Sequence, residues 1–259
     1  VSTVAVDSAS AYAAWANGDN EGSGFATWTL YHDANAGHFL DPAGWGLWSH
    51  AGTNLAEAVR PFAAPLAVGD TVHVSMQNGW IWEEGGSVGI ALRDSEGATL
   101  WEFYFNGGYS FYNTPAGPTD IGWTTNALAV DFTLTAADAC SVNILPAGGT
   151  AHPYTGTVAG TIAQFRAWSY DNGADDGQNH FRNFFVDDLR ITRLTGGGDE
   201  EYSTAVVHII REPGSGEAPV IQNVTLPEAG GDMQVNLSES LDGATYAVWA
   251  SPTLIPTQN

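Results

Sequence analysis

From the N-terminus to about residue 192, apolar side chains recur at every second position in short runs, a spacing that favours β-strands over helices. In "TVHVSMQ" Val72, Val74 and Met76 share one face, in "SVGIAL" Val88, Ile90 and Leu92 do, and in "LAVDFTL" the set is Leu128, Val130, Phe132 and Leu134. "TLWEFYF" places Trp101, Phe103 and Phe105 on one side, and "HFRNFFVDDLRITRL" closes the series. The runs are separated by turn signals: "VGD" at Val68, "DSEG" at Asp94, "NGG" at Asn106, "PAGPTD" at Pro115 and "PAGG" at Pro146. Roughly ten or more short strands at this spacing predict an all-β chain, a jelly-roll β-sandwich. One stretch, "NLAEAVRPF" at residues 54–62, has helical composition, and Pro61 limits the expected helix to two turns.

Charge narrows the partners. Of 259 residues 29 are acidic and seven basic; all seven are arginine, and the net charge is −22. The absence of lysine excludes a P-loop and Schiff-base chemistry. The negative field repels phosphate backbones and anionic lipid, so no nucleic-acid partner is expected. No apolar run reaches the length of a spanning helix, so no membrane insertion is expected either. Neutral ligands, cations and basic proteins remain. The single cysteine, Cys140, alternates with Val142 and Ile144 in "ACSVNILP", as a buried strand residue does. The opening "VSTVAVDSAS" fits a mature end left after removal of an export signal, and a secreted or cell-surface location is expected.

The pattern breaks at "TGGGDEE", a flexible acidic connection. We divide the chain into a sandwich over 1–195, a linker with one strand over 196–218, and three short strands over 219–259. About forty residues are thin for a free-standing domain. That tail is expected to be a short C-terminal β appendage, a partial immunoglobulin-like module or strands available for self-assembly.

The densest functional signal is "NGWIWEEGGSVGI", residues 78–90. Glu83 and Glu84 are sequence neighbours and would diverge on a strand, so they are not a glycosidase acid pair. "GGSVG" matches a nucleophile elbow in form, but a strand follows where the elbow needs a helix. Trp80 and Trp82, two apart on an extended segment, would project to one side and offer a flat apolar surface matching the C–H face of a sugar ring, with Asn78 and Glu83 as hydrogen-bonding groups; the alternative is that they belong to the core. Trp45 and Trp48 in "DPAGWGLWSH", and Tyr109 in "FNGGYSFYN", could join them. For a cation, "YDNGADDGQNH" collects oxygen donors: Asp171, Asp175 and Asp176, with Asp187 from the last strand, form a candidate calcium site or a solvated acidic loop. The seven histidines show no transition-metal spacing.

The run from "GLWSHAGTNLAEAVRPF" through "WEFYFNGGYS" resembles a jelly-roll domain of secreted, multidomain proteins from Verrucomicrobia-like and related bacteria, over residues 24–192. "NHFRNFFVDDLRIT" resembles the final strand of carbohydrate-binding and concanavalin-like modules, and "YAVWASPTLIPTQN" is similar to the start of the immunoglobulin-like domains that follow them. The resemblance implies a calcium-stabilised sandwich with a polysaccharide or glycan partner, and it carries no catalytic pattern onto this chain. Residues and resemblance together lead to a non-catalytic carbohydrate-binding module. The alternatives are a structural subunit of a surface or filament assembly and a sandwich-fold glycosidase or polysaccharide lyase.

Overall fold

In a computed structural model, residues 1–173 and 182–194 are described in full, followed by the backbone of four further strands. Two antiparallel sheets form a jelly-roll β-sandwich within a unit spanning Val1–Leu194. The strands are β1 (Ser2–Asp7), β2 (Thr29–His32), β3 (Ala36–Asp41), β4 (Gly44–Ser49), β5 (Leu55–Pro61), β6 (Asp70–Asn78), β7 (Ser87–Arg93) and β8 (Thr99–Asn106). They continue with β9 (Phe111–Thr114), β10 (Gly117–Gly122), β11 (Leu128–Ala136), β12 (Ala139–Pro146), β13 (His152–Thr157), β14 (Gln164–Tyr170) and β15 (Phe184–Arg193). The first sheet runs β13-β12-β11-β6-β15-β4-β3, with β1 also pairing β15; the second runs β10-β9-β8-β7-β14-β5-β2. Among the described residues no helix is long and apolar enough to cross a membrane.

The alternation seen in the sequence sets which side each strand buries. Val72, Val74 and Met76 of β6, Val130 and Phe132 of β11, and Val88, Ile90 and Leu92 of β7 all face the interior. Trp28, Trp45, Phe103, Phe165 and Phe184 fill the space between the sheets, and Cys140 is buried there with its thiol pushed up by burial. The turn signals close hairpins: the Asp94 carboxylate accepts the backbone N–H groups of Glu96 and Ala98 at 2.9 and 2.8 Å, and Gly97 takes φ +92°.

Strand β15 holds the first sheet together. It pairs β6 along one side, while β4 and then β1 occupy the other. A register shift between Asp187 and Arg190, with Asp188 at φ +55°, marks the change of partner. Asp187 Oδ1 secures the junction by accepting the N–H groups of Ala9 and Asp188, both at 2.8 Å.

The expected helix at 54–62 is instead β5. Its Ala56, Ala58 and Arg60 point inward, and it is bonded on both sides, to β14 and β2. Tertiary pairing overrides the helical composition of Leu, Ala and Glu. Beyond Leu194 a second unit, Thr195–Asn259, contains β16 (His208–Ile210) paired with β19 (Ala247–Trp249), and β17 (Val220–Thr225) paired with β18 (Gln234–Ser238). The strand assigned to the 196–218 linker therefore pairs with one from the 219–259 segment.

Between the sheets, Arg60 of β5 meets Asp7 of β1 at 2.7 Å, and both side chains are fully buried. Burial pushes the Asp7 carboxyl up against the pull of Arg60, and it pushes the Arg60 guanidinium down. Removing one partner would strand the other charge. Asp7→Ala is expected to cost about 3–5 kcal/mol in urea unfolding; a loss below about 1 kcal/mol, the scale of a surface pair, would contradict a closed pair.

His38 titrates in the opposite sense to a salt-bridged histidine. It packs edge-on against Trp15 at 5.4 Å, its Nε2 meets the Glu57 carbonyl at 3.0 Å, and burial pushes its pKa from 6.5 to about 4. Folding therefore favours the neutral ring. Its contribution is present above pH 6.5 and lost as pH falls towards 4. Stability should drop more steeply across that window in the wild type than in His38→Gln, as measured by denaturation at fixed pH values; parallel curves would contradict this assignment.

Candidate functional site

Strand β6 ends at Asn78, and the chain then leaves the sheet in an irregular stretch that turns at residues 83–85 before β7. Asn78 does not face a ligand. It is 1% exposed, accepts the Tyr112 hydroxyl at 2.6 Å on Oδ1 and donates to the Gly79 carbonyl at 2.9 Å. Burial pushes the Tyr112 phenol well above its ordinary value, so this bond stays neutral. Asn78 is thus a buried spacer, excluded from the ligand-binding set by its own satisfied hydrogen bonds.

Four hydrogen bonds hold the irregular stretch in place. Trp82 N–H donates to Asn172 Oδ1 at 3.1 Å, and the Asn172 amide donates to the Arg182 carbonyl at 2.6 Å. Gly86 N–H closes the turn on the Trp82 carbonyl at 2.9 Å, and Gly107 N–H donates to the Gly86 carbonyl at 2.8 Å. Gly107 is required by sterics, because a Cβ there would lie 1.8 Å from the Trp82 carbonyl oxygen.

Trp80 and Trp82 are neighbours but not coplanar: their centroids are 5.9 Å apart and their planes 79° apart. A spacing of two brings side chains to one face only on an extended strand, and residues 79–86 do not form one. The Arg182 guanidinium lies over both rings, 4.6 Å from Trp80 and 5.3 Å from Trp82. Trp80 remains 36% exposed, Tyr109 56% and Trp123 44%. These three rings border a cavity of about 270 Å³ floored by Ile81 and Phe105, with Glu83 and Gly108 completing the lining. Trp123 is anchored by its indole N–H, which donates to the Gly79 carbonyl at 3.2 Å. Such a cleft combines rigid apolar faces with one carboxylate, the makeup of a small polar-ligand site.

The second tryptophan pair does not join the cleft. Trp45 is fully buried against Trp28 at 5.1 Å, Tyr12 at 5.8 Å and Trp15 at 6.1 Å, so no ligand reaches it. Trp48 lies on the other face of β4, beside His50 at 5.2 Å and outside the cleft lining. Ser87 of the "GGSVG" match opens β7 and accepts the Trp168 indole N–H at 3.2 Å; a strand follows it, as the sequence predicts.

Of the calcium candidates, Asp175 and Asp176 lie outside the described residues. Asp171, at φ +49°, accepts the N–H groups of Gly52 and Thr53 at 2.6 and 3.2 Å, while Asp187 serves the β1–β15 junction. Among the described residues no three His, Cys, Asp or Glu side chains group as a metal site.

Two features of the structure carry no local signal in the sequence. Trp123 stands alone in "IGWTTN", without the paired spacing that drew attention to the others. The outer face of the second sheet also carries a charged cluster assembled from four strands. Arg166 Nε donates to Glu57 Oε2 at 2.6 Å, Arg93 lies 3.5 Å from Glu57 Oε1, and the Arg166 guanidinium stacks 4.5 Å over Trp168. Glu102 joins through register, since Arg166 and Glu102 both pair with Ala91. Burial pushes its carboxyl up, against the lowering pull of Arg166 and Arg93.

No family model and no curated protein matches the sequence. Solved structures do match. A protein named sialidase superposes at TM-score 0.54 and 13% identity over 75% of this chain. The aligned part is 19% of the sialidase, so this chain spans a small part of that relative. A glycosyl hydrolase family protein from Mycobacterium fortuitum gives 0.48 and 13%, with 74% of this chain and 100% of that one covered. A glycosyl hydrolase family 16 protein from Mycobacterium smegmatis gives 0.47 and 12%, with 74% and 100%. The sialidase likeness is one of fold.

Gly107→Ala should displace the Trp82 turn and cost about 3 kcal/mol, the upper end of overpacking penalties. Thermal unfolding checks this, and an unchanged midpoint would show that the turn is not held against Gly107.

Proposed function

We propose that this chain is a non-catalytic carbohydrate-binding module, acting outside the cell on a neutral glycan. One observation carries the reading: Trp80, Tyr109 and Trp123, each at least a third exposed, surround one cavity with Glu83 in its lining. Exposed aromatic rings are costly to leave in water without a partner, and a cluster of them marks a binding surface. A sugar ring presents C–H groups to such faces and hydroxyls to a carboxylate. The net charge of −22 disfavours anionic polymers, and the fold shared with part of a sialidase accords with a sugar ligand.

Affinity electrophoresis in gels containing soluble polysaccharides tests the reading. Trp80→Ala with Trp123→Ala should remove retardation, each ring contributing about 2 kcal/mol, or about thirtyfold in affinity. Unchanged retardation in the double variant would remove the cleft from the site.

The outer-face cluster favours a second reading, a sandwich-fold glycosidase or lyase. Glu102 is a half-buried carboxylic acid with its pKa raised by burial, under the pull of Arg93 and of Arg166, whose guanidinium stacks on Trp168. A raised acid next to cations is the kind of group that transfers protons in catalysis. Under this reading the wild type releases new reducing or unsaturated ends from a polysaccharide panel and Glu102→Gln lowers the rate at least about a hundredfold. Absence of product from the wild type leaves the binding reading.

A further inference from the structure

A second polar surface lies on the outer face of the first sheet, at the end of β6 away from the aromatic cleft. Its composition follows from strand register. Thr192, Thr71, Thr133, Ser141 and Thr155 are successive cross-strand partners through β15, β6, β11, β12 and β13. Their strand neighbours Ile191, Val72, Phe132 and Val142 are buried, so these hydroxyls point away from the core. Arg190, His73, Asp131 and Asn143 form a second row beside the first. Adjacent strands lie about 4.8 Å apart, so a hydroxyl recurs at that interval across five strands.

The rows are held in place by their own hydrogen bonds. Thr71 Oγ1 and Thr133 Oγ1 are 2.8 Å apart, and the His73 ring spans Asp131 Oδ1 at 2.7 Å and Thr192 Oγ1 at 2.8 Å. Each hydroxyl carries one donor and two acceptor positions, so a single mutual bond leaves capacity directed outward. From β6 to β13 the rows border an open groove of about 790 Å³, against about 270 Å³ for the cleft, with Pro153 and Tyr154 also in its lining; Thr192 and Arg190 lie outside it.

We propose that this groove is a second binding site, for a neutral polyhydroxylated chain such as a polysaccharide strand laid across the β-strands. Charge decides the class of occupant. Asp131 of the lining is already bonded to His73, Arg190 on the far side of His73 carries the opposite sign, and the net charge of −22 turns polyanions away. Shape supports the same class, because each threonine sets a methyl beside its hydroxyl, the same alternation of C–H and O–H that a pyranose chain presents. Two sites at opposite ends of β6 make one domain bivalent, raising its avidity for a polymer without new contacts at either site.

Isothermal titration with cellohexaose and with xylohexaose tests this on three chains: wild type, Trp80→Ala/Trp123→Ala, and Thr133→Val/Ser141→Ala/Asn143→Ala. The groove changes remove polar groups from outward strand positions and keep the β-branched shape at 133, and matching melting curves confirm the fold. The wild type should bind two equivalents of at least one hexaose and each variant one, the groove variant losing the second site by about tenfold or more in affinity. The proposal is overturned if the groove variant's isotherm matches the wild type, if the wild type binds neither probe, or if the tryptophan variant binds nothing; in that last case the cleft reading stands. Two equivalents on the tryptophan variant and one on the groove variant would instead remove the cleft and keep the groove.

Discussion

The buried pairing of Asp7 with Arg60 is the constraint on which the rest of the sandwich depends. Two charges removed from water are tolerated only where hydrogen bonds surround them. Asp7 accepts from Tyr12 at 2.9 Å and Trp28 at 3.2 Å, while Arg60 donates to the Asp19 carbonyl at 3.2 Å and Asn20 Oδ1 at 2.7 Å. The guanidinium also lies 5.1 Å over the Trp28 ring and 5.5 Å over Phe25. This set fixes residues 12–28, a stretch with little regular structure of its own, and brings β1 of one sheet against β5 of the other. Trp28 held there supports Trp45, and that packing is why one of the most conspicuous tryptophans of the sequence belongs to the core.

The cleft is held by different chemistry. Asn78, Tyr112 and Asn172 are buried and neutral, and each uses its polar atoms on a backbone or side-chain partner. They hold an irregular segment rigid, so that Trp80, Tyr109 and Trp123 can stay exposed without collapsing onto the core. On the proposed reading, a cleft built this way would bind with little reorganisation, which favours recognition of a stiff ligand.

The fold was legible because alternation survives in nearly every strand, from Val72, Val74 and Met76 to Leu128, Val130 and Phe132. It failed at β5, where Leu, Ala and Glu carry helical propensity and only pairing on both sides reveals a strand. The site was legible in part. Tryptophan density pointed to residues 80–82, but the extended geometry assumed there does not hold, and the plane expected from two indoles became an edge-on pair under Arg182. In "GWGLWS" a spacing of three puts Trp45 and Trp48 on opposite faces because the segment is a regular strand, β4. Trp123, the Glu102 cluster and the hydroxyl rows were out of reach, since each comes from register between strands far apart in the chain. Thr71 and Thr192, for example, are partners across more than a hundred residues.

The proposed function requires that the rings at the end of β6 meet the ligand and those inside the sandwich do not. Indole N–H resonances report this directly, because Trp80, Trp123, Trp28 and Trp45 sit in distinct surroundings. Titrating the wild-type chain with a neutral oligosaccharide it retains in affinity gels should shift the Trp80 and Trp123 indole signals together and leave those of Trp28 and Trp45 unmoved. Shifts confined to other tryptophans, or binding with no change at Trp80 and Trp123, would contradict it.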